Sequence, residues 1–335
     1  MRSVCSLCYL GLLVAALSFS CESPRETTVG TCLAGEEWCN GVCVAAGTCQ
    51  PAETGGTTGA GGTVDTGGTT ETGGSTETGG SPPVTTGSCT DTSTNSGTLN
   101  GQYSGASIRV SNGSKSYYLQ SNWWHVFNGQ SLRHDGLSFT VSNPNNAGTS
   151  DDAPMGYPSM FIGSYSGNTT SGSNLPRRVS DLTSIPTVLS TNAASGNISN
   201  HNAAYDVWFT PSSSPLSSGD VSPPRGGAYL MVWLFDPTSR QPRGSRPAGS
   251  IGITVSGVSS TWDVWVDRSD PVCISYVSTS PLNSLEFDLN HFIQHAVNTG
   301  YGITSSMYLS VIFAGFEIWN GGDGLRVDNF CVQVN

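Results

Sequence analysis

From about Cys89 to the C-terminus, short strand-like runs of apolar residues are separated by clusters of Ser, Asn, Gly and Pro. The pattern predicts strands at Ser107–Val110, Tyr117–Val126, Leu137–Ser142, Ser159–Tyr165, Ala204–Thr210, Ala228–Phe235, Gly249–Val255, Thr261–Asp267, Val272–Ser278, Met307–Gly315 and Arg326–Val334. So many antiparallel candidates imply an all-β fold, a two-sheet sandwich of the jelly-roll kind. One stretch has the helical period instead. Asp288 is its cap, Leu289, Phe292, Ile293, Ala296 and Val297 form its apolar stripe, and Gly300 ends it. One amphipathic helix packed on the outside of a sheet is expected. His291 and His295 lie off the stripe and read as solvated.

Two of the predicted strands, and the stretch Gly315–Gly322 beyond a third, carry polar chemistry among apolar residues. In Ala228–Phe235, the aliphatic Leu230, Val232 and Leu234 should meet the other sheet. That leaves Tyr229, Met231 and Trp233 to line a groove, where aromatics with polar tips reach a wet edge; the other reading is that both faces of the strand are core. In Ala204–Thr210, Asp206 shares a face with Trp208, and a carboxylate in that setting is costly unless it is paired or serves a site. Near the C-terminus Glu317 and Trp319 share a face, followed by a Gly-rich turn. An acid beside an exposed indole suits glycan cleavage: the acid protonates the leaving oxygen and the ring stacks on a pyranose.

Upstream of Cys89 the composition is different. Residues 1–20 read as an export signal, with Arg2 at the positive end and a mostly apolar run from Val4 to Phe19 that is too short to span a membrane comfortably. The run ends in Leu17-Ser18-Phe19-Ser20-Cys21, which resembles a lipoprotein cleavage site with Cys21 as the lipidated residue; ordinary cleavage and secretion is the other outcome. Residues 21–50 then form a small Cys-rich module. Cys32, Cys39, Cys43 and Cys49 read as two disulfides in an oxidising compartment; a zinc site is disfavoured by the lack of a CxxC pair or His. Residues 51–88, nearly all Thr, Gly, Ser and Glu, read as a flexible tether, and residues 89–335 as the folded domain. Cys89, Cys273 and Cys331 are an odd set, one pair and one free thiol at the simplest. A net charge of −11 argues against a nucleic-acid partner, and the five His match no metal-ligand spacing, so neither metal nor cofactor is expected. An exported monomer, at the cell surface or extracellular, is expected.

The chain from Ser116 to Val334 resembles glycoside hydrolase family 12, endo-β-1,4-glucanases and xyloglucanases of jelly-roll fold. The resemblance rests on pieces in the family's order: Gln120-Ser121-Asn122-Trp123-Trp124, Tyr157-Pro158-Ser159, Leu175-Pro176-Arg177-Arg178-Val179-Ser180, Asn202-Ala203-Ala204-Tyr205-Asp206-Val207-Trp208-Phe209, Leu230-Met231-Val232-Trp233-Leu234, Trp262-Asp263-Val264-Trp265, Phe287-Asp288 and Gly315-Phe316-Glu317-Ile318-Trp319. It implies a β-linked polysaccharide substrate and a retaining mechanism with two glutamates about 5 Å apart. Glu317 matches the acid/base, although Ile318 replaces the usual Pro. Asp206 matches an Asp that hydrogen-bonds the nucleophile, and Asn122, Trp124, Met231, Trp233 and Trp319 match sugar-binding positions.

The nucleophile position departs from the family: Tyr229 stands where a Glu is expected, and Glu286 and Glu317 are the only glutamates after Cys89. A phenol of pKa near 10 costs on the order of 4 kcal/mol to ionise at pH 7. Three outcomes follow. The groove binds glycan without cleaving it, Asp206 acts as a base for a Tyr229 nucleophile, or Asp206 activates water directly, with inversion and a wider carboxyl gap.

Overall fold

The computed structural model describes residues 36–39, 42–45, 90–124, 129–142, 144, 154–195 and 198–335. The export signal, Cys21 and the tether lie outside the described residues. Of the Cys-rich module, Glu36–Cys39 and Val42–Ala45 pair as an antiparallel hairpin. Cys273 and Cys331 are each disulfide-bonded, so neither is a free thiol.

The domain is built from β1 (Ser96–Asn100), β2 (Ser107–Asn112), β3 (Lys115–Gln120), β4 (Ser131–Asp135), β5 (Ser138–Ser142), β6 (Ser159–Tyr165), β7 (Pro186–Thr191), β8 (His201–Thr210), β9 (Ala228–Trp233), β10 (Trp262–Asp267), β11 (Val272–Ser278), β12 (Ser284–Asp288), α1 (Asn290–Asn298), β13 (Tyr308–Ile318) and β14 (Arg326–Val332). The larger sheet runs β10-β11-β9-β8-β13-β6-β3-β2, with two two-residue strands attached to its side. The smaller runs β12-β7-β14-β5-β4-β1. All neighbours named are antiparallel except β9 and β11.

Alternation along the strands of the larger sheet divides its side chains between two apolar clusters. One face sends Ala203, Tyr205, Val207, Leu230 and Val232 against Leu189, Phe287, Phe330 and Val332 of the smaller sheet. Tyr205 joins the layers, its ring 5.3 Å from Phe287 and its hydroxyl 3.0 Å from Thr187 Oγ1. Each such buried side chain contributes roughly 1.5–3 kcal/mol. The opposite face, called here the far face, carries Phe161, Tyr165, Trp208, Tyr229, Met231, Trp233, Phe313 and Trp319. These rings meet edge to face, as in Tyr165–Phe313 at 4.9 Å and Trp208–Tyr229 at 5.6 Å. The wet edge expected for Tyr229, Met231 and Trp233 is therefore not what this conformation shows: all three are nearly buried, held by contacts among the aromatics themselves.

Two further expectations are corrected. Gly249–Val255 is not a strand; positive φ at Gly249 and Gly252 turns the chain, and only Ile253 bridges to Trp262. His295 is not simply solvated, since its Nδ1 lies 2.8 Å from the Tyr276 hydroxyl. The helix begins one residue later than expected: Leu289 is its N-cap and makes no side-chain cap, while Asp288 Oδ1, just ahead of it, accepts the Asn290 N–H at 2.9 Å. Its Phe292 packs edge-on against Tyr276 at 4.8 Å and Trp262 at 5.0 Å, both from the end of the larger sheet.

Candidate active site

Strand register arranges the far face in rows. Glu317 on β13 lies opposite Asn202 on β8. In the next row Gly315 faces Ala204, which faces Trp233; then Phe313, Asp206 and Met231; then Val311, Trp208 and Tyr229. Glu317 and Tyr229 thus share a face but stand three rows apart, on the order of 20 Å along the strands at ~3.4 Å per residue. Asp206 lies between them, two rows from Glu317 and one from Tyr229.

Glu317 is 8% exposed. Asn202 clasps it from the neighbouring strand: its Nδ2 donates to Glu317 Oε2 at 2.6 Å, and its Oδ1 accepts the Glu317 N–H at 3.1 Å. Burial pushes the Glu317 carboxyl up to about 8; the Asn202 hydrogen bond opposes this and the Asp206 charge adds to it. Asp206 is pushed up to about 7 by burial, against the indole N–H of Trp208, which donates to its Oδ2 at 2.8 Å. Its other oxygen, Oδ1, is buried with no hydrogen-bond partner. Near neutral pH, then, Glu317 holds its proton while Asp206 is partly ionised. The two interact, so their titration belongs to the pair.

Burial also raises the Tyr229 phenol well above 10, and the Asp206 charge raises it further; a hydrogen bond with Ser222 and the Arg243 charge act the other way. Tyr157, of the Tyr157-Pro158-Ser159 stretch, lies within electrostatic reach of both carboxyls. Its hydroxyl donates to Ala204 O at 2.9 Å, and burial and then the Asp206 and Glu317 charges raise its pKa.

Around these groups Trp233 and Trp319 approach edge to face at 6.3 Å, and the Arg240 guanidinium lies 5.9 Å from the Trp319 ring centre. Trp123 turns into the core while Trp124, half-buried, packs on the far-face cluster. Asn122 takes a left-handed φ of 40° and its carbonyl accepts the Tyr157 N–H at 2.9 Å. The structure therefore brings Glu317, Asp206, Met231, Trp233, Trp319 and Trp124 onto one face, with Tyr229 at its lower end. Asn202 and Gln120 were present in the quoted motifs without a role; uncharged amides raise no alarm in a strand as a carboxylate does. Among the described residues no group of three or more His, Cys, Asp or Glu converges as a metal site.

The model of the family described as Glycosyl hydrolase family 12 matches residues 115–335. The chain belongs to glycosyl hydrolase family 12. Among its family relatives it is 33% identical over 168 residues to the "Probable cellulase Cel12b" of Mycobacterium tuberculosis, covering 49% of this chain and 99% of that protein. It is 29% identical over 236 residues to "Endoglucanase S" of Pectobacterium parmentieri, covering 66% of this chain and 83% of that one. The solved structure of "Endoglucanase cel12A from Rhodothermus marinus" superposes with a TM-score of 0.58 at 34% identity, covering 71% of this chain and 99% of that chain. As a family 12 chain this is a β-1,4-glucan glycoside hydrolase-like protein, and its two-sheet sandwich with a single helix is the fold of its family 12 neighbours.

Proposed function

We propose that this family 12 chain cleaves β-1,4-glucan, with Glu317 as general acid and Asp206 as general base. The observation that carries the reading is the pair itself: a clasped carboxyl that keeps its proton, and on the same face a second carboxyl with a bare oxygen. Glu317 donates its proton to the glycosidic oxygen as the C–O bond breaks. Asp206 Oδ1 takes a proton from a water whose oxygen attacks the anomeric carbon from the opposite side. The product has the inverted configuration, and the two carboxyls exchange protons with solvent to reset. Tyr229 occupies the place of the family's nucleophile, but its raised phenol makes a phenolate costlier than the ~4 kcal/mol of a free tyrosine. We assign it to the wall of the site.

The substrate is a β-linked polysaccharide such as cellulose or xyloglucan. The leader, Cys21 and the tether support an exported protein carried at the cell surface. A second reading, a surface-displayed glycan-binding module without turnover, is supported by the phenol at position 229 and by how little of Tyr229, Met231 and Trp233 is exposed.

The test is sugar release from β-glucan and xyloglucan by wild type, Glu317→Gln, Asp206→Asn and Tyr229→Phe, with the product anomer followed by NMR. Wild-type turnover with inversion, lost by about 10²–10⁴-fold in both carboxyl variants and kept in Tyr229→Phe, is the expected result. Retention of configuration with turnover abolished in Tyr229→Phe would instead make the phenol the nucleophile. Saccharide binding with no product would leave the binding module.

A further inference from the structure

One row of the far face crosses five consecutive strands. Gln120 on β3 lies opposite Ser159 on β6, Ser159 opposite Gly315 on β13, Gly315 opposite Ala204 on β8, and Ala204 opposite Trp233 on β9. The three middle residues are small. At Gly315 no side chain fits, because a Cβ there would lie 2.2 Å from Pro158 O. The Glu317–Asn202 pair stands in the row above, and Asp206 stands in the row below. A glucan laid along this row, across the strands, would have the acid on one side and the base on the other.

Both ends of the row carry a buried polar atom without a partner. The Gln120 side chain is wholly buried; its Nε2 donates to Ser159 Oγ at 3.0 Å, but its Oε1 bonds nothing. At the other end Trp233 is 2% exposed, and its indole N–H also has no acceptor. Turning the Gln120 amide over would satisfy the oxygen from the Ser159 hydroxyl and leave the nitrogen bare instead, so one amide atom is unmet in either orientation. Buried groups of this kind are uncommon and call for an occupant. Two of them at opposite ends of one row of small residues, flanked by the two carboxyls, suit a ligand with hydroxyls along its length.

We infer that Gln120 is a sugar-binding residue at the end of an extended glucan site, opposite Trp233, and that it selects for chain length. The inference rests on the glucan reading proposed above. Four strand spacings separate the two ends, about 19 Å on a flat sheet, so a short oligosaccharide held at Trp233 cannot also reach Gln120. A longer chain places a hydroxyl against the amide. A site built to hydrogen-bond a hydroxyl discriminates strongly against a ligand lacking it, because its own buried group is then left unmet.

The experiment is calorimetric titration of the Glu317→Gln protein, which holds substrate without cleaving it, with β-1,4-linked gluco-oligosaccharides from the dimer to the hexamer. It is repeated with Gln120→Leu added. Affinity should rise with length, and Gln120→Leu should lose about tenfold for the longest ligands while leaving the dimer unchanged. A hexamer O-methylated on its terminal unit should show the same loss against the protein with Gln120 intact, which tests the contact even where the Leu variant does not fold. Trp233→Phe should weaken every length. Equal affinities with and without Gln120→Leu, or an equal loss at every length, would overturn the assignment while leaving the glucan reading in place. No binding of any oligosaccharide by the parent protein would overturn both.

Discussion

Glu317 and Asp206 are held nearer to neutral than water would hold them, and both catalysis and stability follow from that. The proposed mechanism needs Glu317 protonated and Asp206 ionised. With the pair at about 8 and about 7, kcat/KM should trace a narrow bell centred between those values, its limbs belonging to the pair. A profile that stays flat between pH 5 and 9 would remove both groups from the mechanism. The same shifts act on folding. Each folded carboxyl is raised above its unfolded value, so the folded chain binds more protons than the unfolded chain between about pH 4 and 8, and stability falls as pH rises through that window. Burial lowers His201 and His134, which act in the opposite sense, but mainly in acid. Between pH 7 and 9 the carboxyls alone should cost about 1–2 kcal/mol, seen as a falling melting temperature. Glu317→Gln should flatten most of that slope, since it removes the group that titrates in the window.

At the level of elements, β6 and β13 approach at Gly163, where φ is 118° and a Cβ would lie 2.3 Å from the Ser310 carbonyl oxygen. Gly163→Ala therefore meets both a backbone penalty and a clash with a strand that cannot yield. It should cost about 2–4 kcal/mol, read from denaturant midpoints. The sequence pattern recovers β6 and β11 to the residue and most of the larger sheet, because those strands are long and apolar on both faces. It misses β1, β4, β7 and β12, which make up most of the smaller sheet. Ser131–Asp135 and Ser284–Asp288 show why: each offers two or three inward residues, and the outward ones are as polar as a loop. Gly249–Val255 erred the other way, an apolar run whose two glycines turn it. The candidate site divides along similar lines. Glu317 and Asp206 were legible because a charge among apolar residues is conspicuous. Asn202 and Gln120 were not, because an amide becomes meaningful only when register shows what stands beside it.

For the whole molecule, the position of β14 decides which end of the chain the fold needs. Arg326–Val332, almost the last residues, lie between β7 and β5 inside the smaller sheet. From that strand Phe330 and Val332 enter the core shared with the larger sheet. The N-terminal edge is tied far more lightly, by contacts such as Asp91 Oδ2 accepting the Leu137 N–H at 2.6 Å and Asn112 Oδ1 accepting the Thr92 N–H at 2.8 Å. A protein of residues 82–335 should therefore fold cooperatively and melt within about 2 °C of the full chain, since among the described residues the buried apolar core begins only at Val110. Ending the chain before Arg326 should abolish folding, because it withdraws an interior strand and leaves its two neighbours with unpaired edges. Calorimetry on the two fragments distinguishes the cases. A large drop in the melting temperature of the first would mean that upstream residues help to hold the sandwich, and a folded second fragment would mean that β14 is dispensable.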